Sequence, residues 1–327
     1  MSKGNGRVCS DCGKNMGPEH DQYTQCPSYQ RKQVRLSSAD NDTVHGEQWH
    51  DDVAERTDAA KDVVEQIIAN GGAGGQPPVK GVGAGAADDE PCRTREDVLN
   101  AVKGNQRADL RGWNLQGVNL SGVNLQGANL SGVNLQGAIL YGANLTKADL
   151  TSANLRRANV DNADLTSANL GGANVSGATM ANLKAQRAHL ENTDLRGVNL
   201  QGANLEGGNL SGADVRGATL SGSDMHDADL SGADLASANL YRANLKGANL
   251  TNIKAEGAHF RQGILKDANF SGANLSGANL SDAYLLQANF TDAKLRRANL
   301  DGVNLEGVNL SGADLTDAWL DYEILRV

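Results

Sequence analysis

The stretch "NLQGVNLSGVNLQGANLSGV", residues 114–133, places a leucine at every fifth position. On an α-helix, a step of five at about 100° per residue advances roughly 140° each time, so no single face collects those leucines. In an uninterrupted strand, where side chains alternate, the same step sends successive leucines to opposite faces. The period is satisfied only if the chain turns a corner once in every five residues and returns each leucine to one interior. Five residues are then the length of one side.

The period governs most of the chain. From Gln106–Leu110 to Thr316–Leu320 it runs through 43 consecutive pentads without insertion or deletion, and the closing residue is Leu in 33 of them. The remainder end in Phe, Val, Met or Ala, so the position is apolar throughout. Two residues earlier stands a small residue, usually Ala and sometimes Val, with Asn or Asp usually between the two. The reading is a short strand in which the small residue and the leucine point inward and the Asn or Asp points outward. The last two positions, often Ser-Gly or Gln-Gly, carry the corner, where glycine reaches positive φ without steric cost. Stacked turns hydrogen-bond above and below, as strands of a sheet do.

The motif A/V-N/D-L-x-x over residues 106–320 resembles that of the pentapeptide-repeat family. The resemblance implies an all-β solenoid: a right-handed quadrilateral β-helix with four pentads per coil and about eleven coils. At about 4.8 Å per coil the rod is roughly 50 Å long. With four pentads per coil, residues 20 apart stack in columns. Phe270 and Phe290 then become neighbours on one inner face with Phe260 opposite, which reads as core packing. Two units invert the size order, Leu183 with Ala185 and Ile253 with Ala255. Volume is conserved within each pair, which reads as compensated repacking, with a local bulge as the alternative. Trp113, at a small-residue position, is expected to help close the amino-terminal end of the core.

A solenoid must cap its ends, because an open coil exposes apolar core and an unpaired strand edge. Residues 94–104, "TREDVLNAVKG", predict a capping helix: Thr94 as N-cap with Asp97 three residues on, Val98, Leu99 and Val102 as an apolar face, and Gly104 as the stop. At the other end "WLDYEILRV", 319–327, is too short for a substantial helix. It either folds over the last coil or meets a second copy in a homodimer.

The chain divides into a candidate zinc module at 1–35, an amphipathic helical region at 36–70, a glycine-rich flexible linker at 71–91, the capping helix within 92–105, the repeats at 106–320 and a tail at 321–327. The linker, "GGAGGQPPVKGVGAGAADDEP", carries seven glycines and almost nothing to bury. Before it, Trp49, Val53, Ala60, Val63, Val64 and Ile67 recur at helical spacing over roughly 47–70. The amino terminus holds "CSDCGKNMGPEHDQYTQC", 9–26, where Cys9-x2-Cys12-Gly resembles a zinc-ribbon knuckle and His20 and Cys26 complete a Cys₃His set for one structural zinc ion. A full ribbon carries a second CxxC, which this sequence lacks. The alternative is a polar leader with incidental cysteines. Cys92 stands apart as a free thiol. One CxxC among four cysteines does not read as a secreted disulfide scaffold. With no apolar leader and no run long enough to span a bilayer, the expectation is a cytoplasmic, membrane-free protein.

Enzymes place reactive groups on loops held by a scaffold, and an unbroken period leaves none. His189, His226 and His259 fall on different coils, and the glycines of "GVGAG", 81–85, follow no strand, so neither a catalytic constellation nor a phosphate loop is read. The expectation is a non-enzymatic scaffold or spacer that binds another protein. The resemblance supplies an alternative, because quinolone-resistance and self-immunity members of the family mimic duplex DNA and bind type II topoisomerases. A mimic needs a dominant anionic surface. Residues 106–327 carry 22 Asp and Glu against 18 Lys and Arg. Asp194, Asp214 and Asp234 form a candidate acidic column, but Arg196 and Arg216 lie two positions from the first two and Lys254 follows. The chain also departs from the gyrase-protecting subgroups, lacking the projecting loops of one and the carboxy-terminal dimerisation helix of another. A net charge of −9 argues against direct nucleic-acid binding by the rod. Arg31, Lys32 and Arg35 leave a local contact by the amino-terminal module as the alternative to solvated linker charge.

Overall fold

A computed structural model describes residues 92–104 and 107–321, together with the backbone of three short strands: β1 (Arg7–Val8), β2 (Asn15–Met16) and β3 (Gln33–Arg35). The expected helix at 47–70, the linker, the four candidate zinc ligands and residues 322–327 lie outside the described residues.

Each pentad makes one side of a coil, and the register between coils is 20 residues. Parallel bridges join Asp109 to Asn129, Asn114 to Asn134, and so on without a slip to Lys294 and Asp314. Both backbone groups of a rung are used. The Leu110 N–H donates to the Asn129 carbonyl at 2.8 Å, and the Asn129 N–H donates back to the Ala108 carbonyl at 2.9 Å. Near the end the rungs lengthen into β4 (Asn299–Leu300) and β5 (Trp319–Asp321), which pair in parallel.

The corner is one four-residue turn used 42 times. The small residue's N–H closes back on the preceding leucine's carbonyl, as from Ala128 to Leu125 at 3.0 Å, and the residue before it adopts φ between +53° and +71° at every corner from 112 to 317. A positive φ at that place is the requirement of a type II turn and explains the glycines. Nineteen corners nevertheless hold another residue, nine of them Asn or Asp and the rest Ser, Arg, Lys or Gln, such as Arg157 and Gln287. A left-handed non-glycine residue costs on the order of 1 kcal/mol, so hydrogen bonding above and below forces the turn even where the residue does not favour it.

The core follows from this geometry. Leucines along the rod are fully buried with the alanines beside them, in one continuous cluster. Phe270 and Phe290 stack at 4.7 Å and 2°, while Phe260 meets Phe270 edge-on across the axis at 5.9 Å. The inverted pairs are buried and keep the rung register, so no bulge forms. Their larger side chain at the small site only stretches the turn, to 3.3 Å from Leu183 to Met180 and 3.5 Å from Ile253 to Leu250.

The two ends differ. Helix α1 (Arg95–Val102) is capped by Thr94 and Asp97 in a reciprocal box and covers the first coil. Its stripe is Val98, Ala101 and Val102, whereas Leu99 is 37% exposed, so the apolar face predicted with Leu99 is corrected. Residue 99 sits about 100° round from 98 and about 160° from 101, beyond the edge of the stripe that Val102 marks. The carbonyls that the first coil would leave bare are taken up by the cap: Arg95 donates to Asn119 O at 2.7 Å and Ser121 O at 3.1 Å, and the Arg93 N–H donates to Asn114 O. Arg93 also lies over the Trp113 ring, 4.9 Å from its centroid, and Trp113 packs on the core end as expected. At the far end, β3 pairs antiparallel with β5, Val34 opposite Leu320, and covers one side of the last edge. Leu305, Leu310 and Leu315 there remain only partly buried.

Two outcomes test this packing. Leu240→Ala is expected to lower stability by about 2 to 5 kcal/mol in urea unfolding, while Asn239→Ala on the outer side of the same pentad costs about 1 kcal/mol. Arg95→Ala is expected to reduce amide-exchange protection in α1 and the first coil and to leave mid-rod amides unchanged.

Candidate functional site

The rod offers four walls, each a column of outward residues flanked by two columns of corner residues. The outward Asn and Asp side chains are engaged with their own turns: Asn119 Oδ1 accepts from the Ser121 N–H at 3.0 Å, and Asp229 Oδ1 from the Ser231 N–H at 2.9 Å. Such turns mimic a backbone turn and suit these residue types. Amides also bridge coils, as from Asn134 to Asn114 at 3.2 Å and from Asn249 to Asp229 at 2.9 Å. Most of the polar wall therefore holds the rod together before it contacts anything else.

The structure brings Asp194, Asp214 and Asp234 together as successive rungs, with Lys254 on the next. Arg196 clamps Asp194 through two bonds of 2.8 and 2.7 Å, and Arg216 clamps Asp214 through bonds of 2.8 and 2.6 Å. Each arginine also leans toward the next aspartate, at 3.7 Å to Asp214 and 3.9 Å to Asp234. Arg196 and Arg216 hold the carboxyls of Asp194 and Asp214 below their usual range. The column is an alternating ladder of charge.

Reading the histidines as isolated misses one cluster. His226 Nδ1 lies 2.8 Å from Asp224 Oδ1 and its Nε2 lies 3.3 Å from Glu206 Oε1, one coil below. The signal was available, since 206 and 226 are one register apart, but it requires applying the column rule to corners as well as sides. His189 pairs with Glu191 at 2.9 Å. Beside this wall Asp164, Thr166, Lys184, Gln186, Arg187 and Glu206 line an open polar depression. Among the described residues no three His, Cys, Asp or Glu side chains gather as metal ligands, and no helix is long and apolar enough to cross a membrane. Of the candidate zinc ligands, Cys9 and Cys12 fall in sequence between β1 and β2, which pair antiparallel. Cys92 is an exposed free thiol. On the same wall as Asp224, two coils on, Ile264 and Tyr284 stand outward and exposed on adjacent rungs.

The Asp224 hydrogen bond raises the His226 pKa above its usual value, with Glu206 and Asp227 adding to it. Because the folded pKa lies above the unfolded value of about 6.5, this contribution to stability is complete below about pH 6.5 and is lost as pH rises through the folded pKa. An NMR titration of the His226 ring is expected to show a midpoint above that of a free histidine, and Asp224→Asn is expected to lower it.

A family model for pentapeptide repeats matches this chain in eight copies spanning residues 106–321. Comparison with curated proteins gives no match. Among solved structures, HetL, a pentapeptide repeat protein involved in heterocyst differentiation regulation in the cyanobacterium Nostoc sp. strain PCC 7120, is 33% identical, over 69% of this chain and 96% of its own, with a TM-score of 0.41. QnrB1, a plasmid-mediated fluoroquinolone resistance protein, is 17% identical over 66% of this chain and 94% of its own, with a TM-score of 0.39. A pentapeptide repeat protein of the Arabidopsis thaliana thylakoid lumen is 27% identical over 32% of this chain and 67% of its own, with a TM-score of 0.23. With its repeats matched from end to end of the solenoid, the chain belongs to the pentapeptide repeat family.

Proposed function

We propose that this protein is a non-catalytic scaffold or spacer: a right-handed rod of about eleven coils whose walls dock another protein in the cytoplasm. The observation that carries this reading is the uniformity of the corners. Every turn from 112 to 317 has the same length and a positive φ between +53° and +71° at the same place, whichever residues fill it, so no projecting loop builds a cleft of the kind that positions a substrate. What such a rod offers a partner is flat exterior. The amino-terminal region supplies specificity, and Cys9, Cys12, His20 and Cys26 hold one structural zinc ion there; the antiparallel pairing of β1 and β2 on either side of the CxxC fits a knuckle. The partly buried leucines of the last coil make that end the place where two copies would meet.

The second reading is a DNA-mimicking partner of a type II topoisomerase, favoured by the spacing of Asp194, Asp214 and Asp234 on successive rungs. Their clamping by Arg196 and Arg216 weakens the anionic field such mimicry needs, and the scaffold reading stands first.

Pull-downs from a native lysate with the full chain and with residues 92–327 are expected to recover the partner more strongly with the full chain than with the shorter one. Equal recovery contradicts a role for the amino-terminal region, and no partner with either contradicts the scaffold. Metal analysis of the purified chain is expected to give one zinc per chain, abolished by Cys9→Ser with Cys12→Ser. In a gyrase supercoiling assay, with and without a quinolone, micromolar protein is expected to have no effect. Protection from the quinolone would reverse the order of the two readings.

A further inference from the structure

We propose that the wall segment centred on Ile264 and Tyr284 is the docking surface for a short acidic amphipathic helix of a partner protein, laid along the rod axis. The proposal rests on the scaffold reading and names the surface it uses.

The outward column here reads Asn244, Ile264, Tyr284, Asn304, joined rung to rung. Where the rest of that wall holds Asn, Asp or Lys, these two rungs expose an aliphatic and an aromatic side chain, 43% and 47% accessible. Leu286, on the next corner, is partly exposed beside Tyr284 and widens the patch. Scattered apolar residues on a surface are ordinary, but a contiguous group rimmed by charge marks a contact site.

The rim gives the partner its sign. Backbone bonds from Gly247 to Lys266 at 2.9 Å and from Asp267 to Leu286 at 3.0 Å stack the corners of Lys246, Lys266 and Leu286 in one line. Among the described residues, neither lysine is within ion-pair distance of a carboxylate. The opposite corner is also cationic but already engaged. Arg242 lies over the Tyr241 ring at 5.0 Å and donates to Gln262, and Arg261 is 3.5 Å from Asp282. On a chain of net charge −9, an apolar column beside two unpaired lysines is complementary to carboxylates flanking an apolar stripe.

The spacing selects a helix. Rungs rise about 4.8 Å per coil and a helix about 5.4 Å per turn, so apolar residues one turn apart on a helix meet Ile264 on one rung and Tyr284 with Leu286 on the next. Glutamates one position round the helix fall over Lys246 and Lys266. An extended strand, at about 3.3 Å per residue with alternating faces, does not keep that phase.

The test uses the full chain and three labelled 18-residue peptides in fluorescence anisotropy: one with Leu at i, i+3, i+4 and i+7 and Glu beside them, one with Lys for Glu, and one with Ser for Leu. Binding of the Glu–Leu peptide alone is expected, weakened at least tenfold by Ile264→Asn with Tyr284→Asn and by Lys246→Glu with Lys266→Glu, and unchanged by Tyr141→Ser, six coils away along the corner column of Arg261. The Asn replacements restore the residue found directly above and below in the column, and the lysine variant alters only corner side chains, so the second pair decides if the first disturbs folding. No binding, equal binding of the Lys–Leu peptide, or indifference to both double variants overturns the proposal. Recovery of a native partner unaffected by either variant also overturns it while leaving the scaffold standing; recovery of no partner by the unaltered chain strikes the scaffold itself.

Discussion

The constraint on which the rest depends is the twenty-residue register of the rungs. Each side of a coil donates two N–H groups to the coil above and one to the coil below, and these bonds hold only while every coil contains the same number of residues. One inserted residue would turn a leucine outward and shift every later rung, which explains why 43 pentads run without a gap. The register also dominates local preference. Arg157, Arg187, Arg242 and Arg297 take a left-handed corner conformation that arginine does not favour, with φ near +56°.

That hierarchy decides what could be read from the amino-acid order. The inward pair, the corners, the stacked phenylalanines and the inverted units all follow from a period of five and a column spacing of twenty, and the structure keeps each of them. Leu99 was misplaced because a helix of eight residues carries too few apolar residues to define its face, and Ala101 packs on the first coil where Leu99 does not. The pairing of β3 with β5 left no trace in sequence, since three residues at Gln33–Arg35 carry no period of their own. The functional surface was harder still. The acidic column was legible, but its neutralisation depends on arginine rotamers that span two rungs, and the His226 cluster and the Ile264–Tyr284 patch appear only when outward residues are followed up the columns.

A solenoid of this kind separates stability from recognition. Stability resides in the axis and the rungs, which repeat, while recognition resides in substitutions at outward positions, which the axis tolerates because they leave the rungs untouched. Ile264 and Tyr284 use the same backbone bonds to Ala243 and Gly263 that an asparagine would use. A wall can thus acquire an apolar or charged patch without any change of fold. The ends obey other rules: α1 with Arg93 and Arg95 satisfies the first coil's free carbonyls, and an added strand covers one edge of the last.

The most direct measurement of the account is a disulfide across one rung. In a chain whose native cysteines are replaced by serine, cysteines at Asn199 and Thr219, which the structure pairs in parallel, lie about 4.8 Å apart, within the reach of a disulfide. Under mild oxidation they are predicted to crosslink, while cysteines at Asn199 and Asp214 stay reduced. Crosslinking of the second pair and not the first would contradict the twenty-residue register and everything built on it.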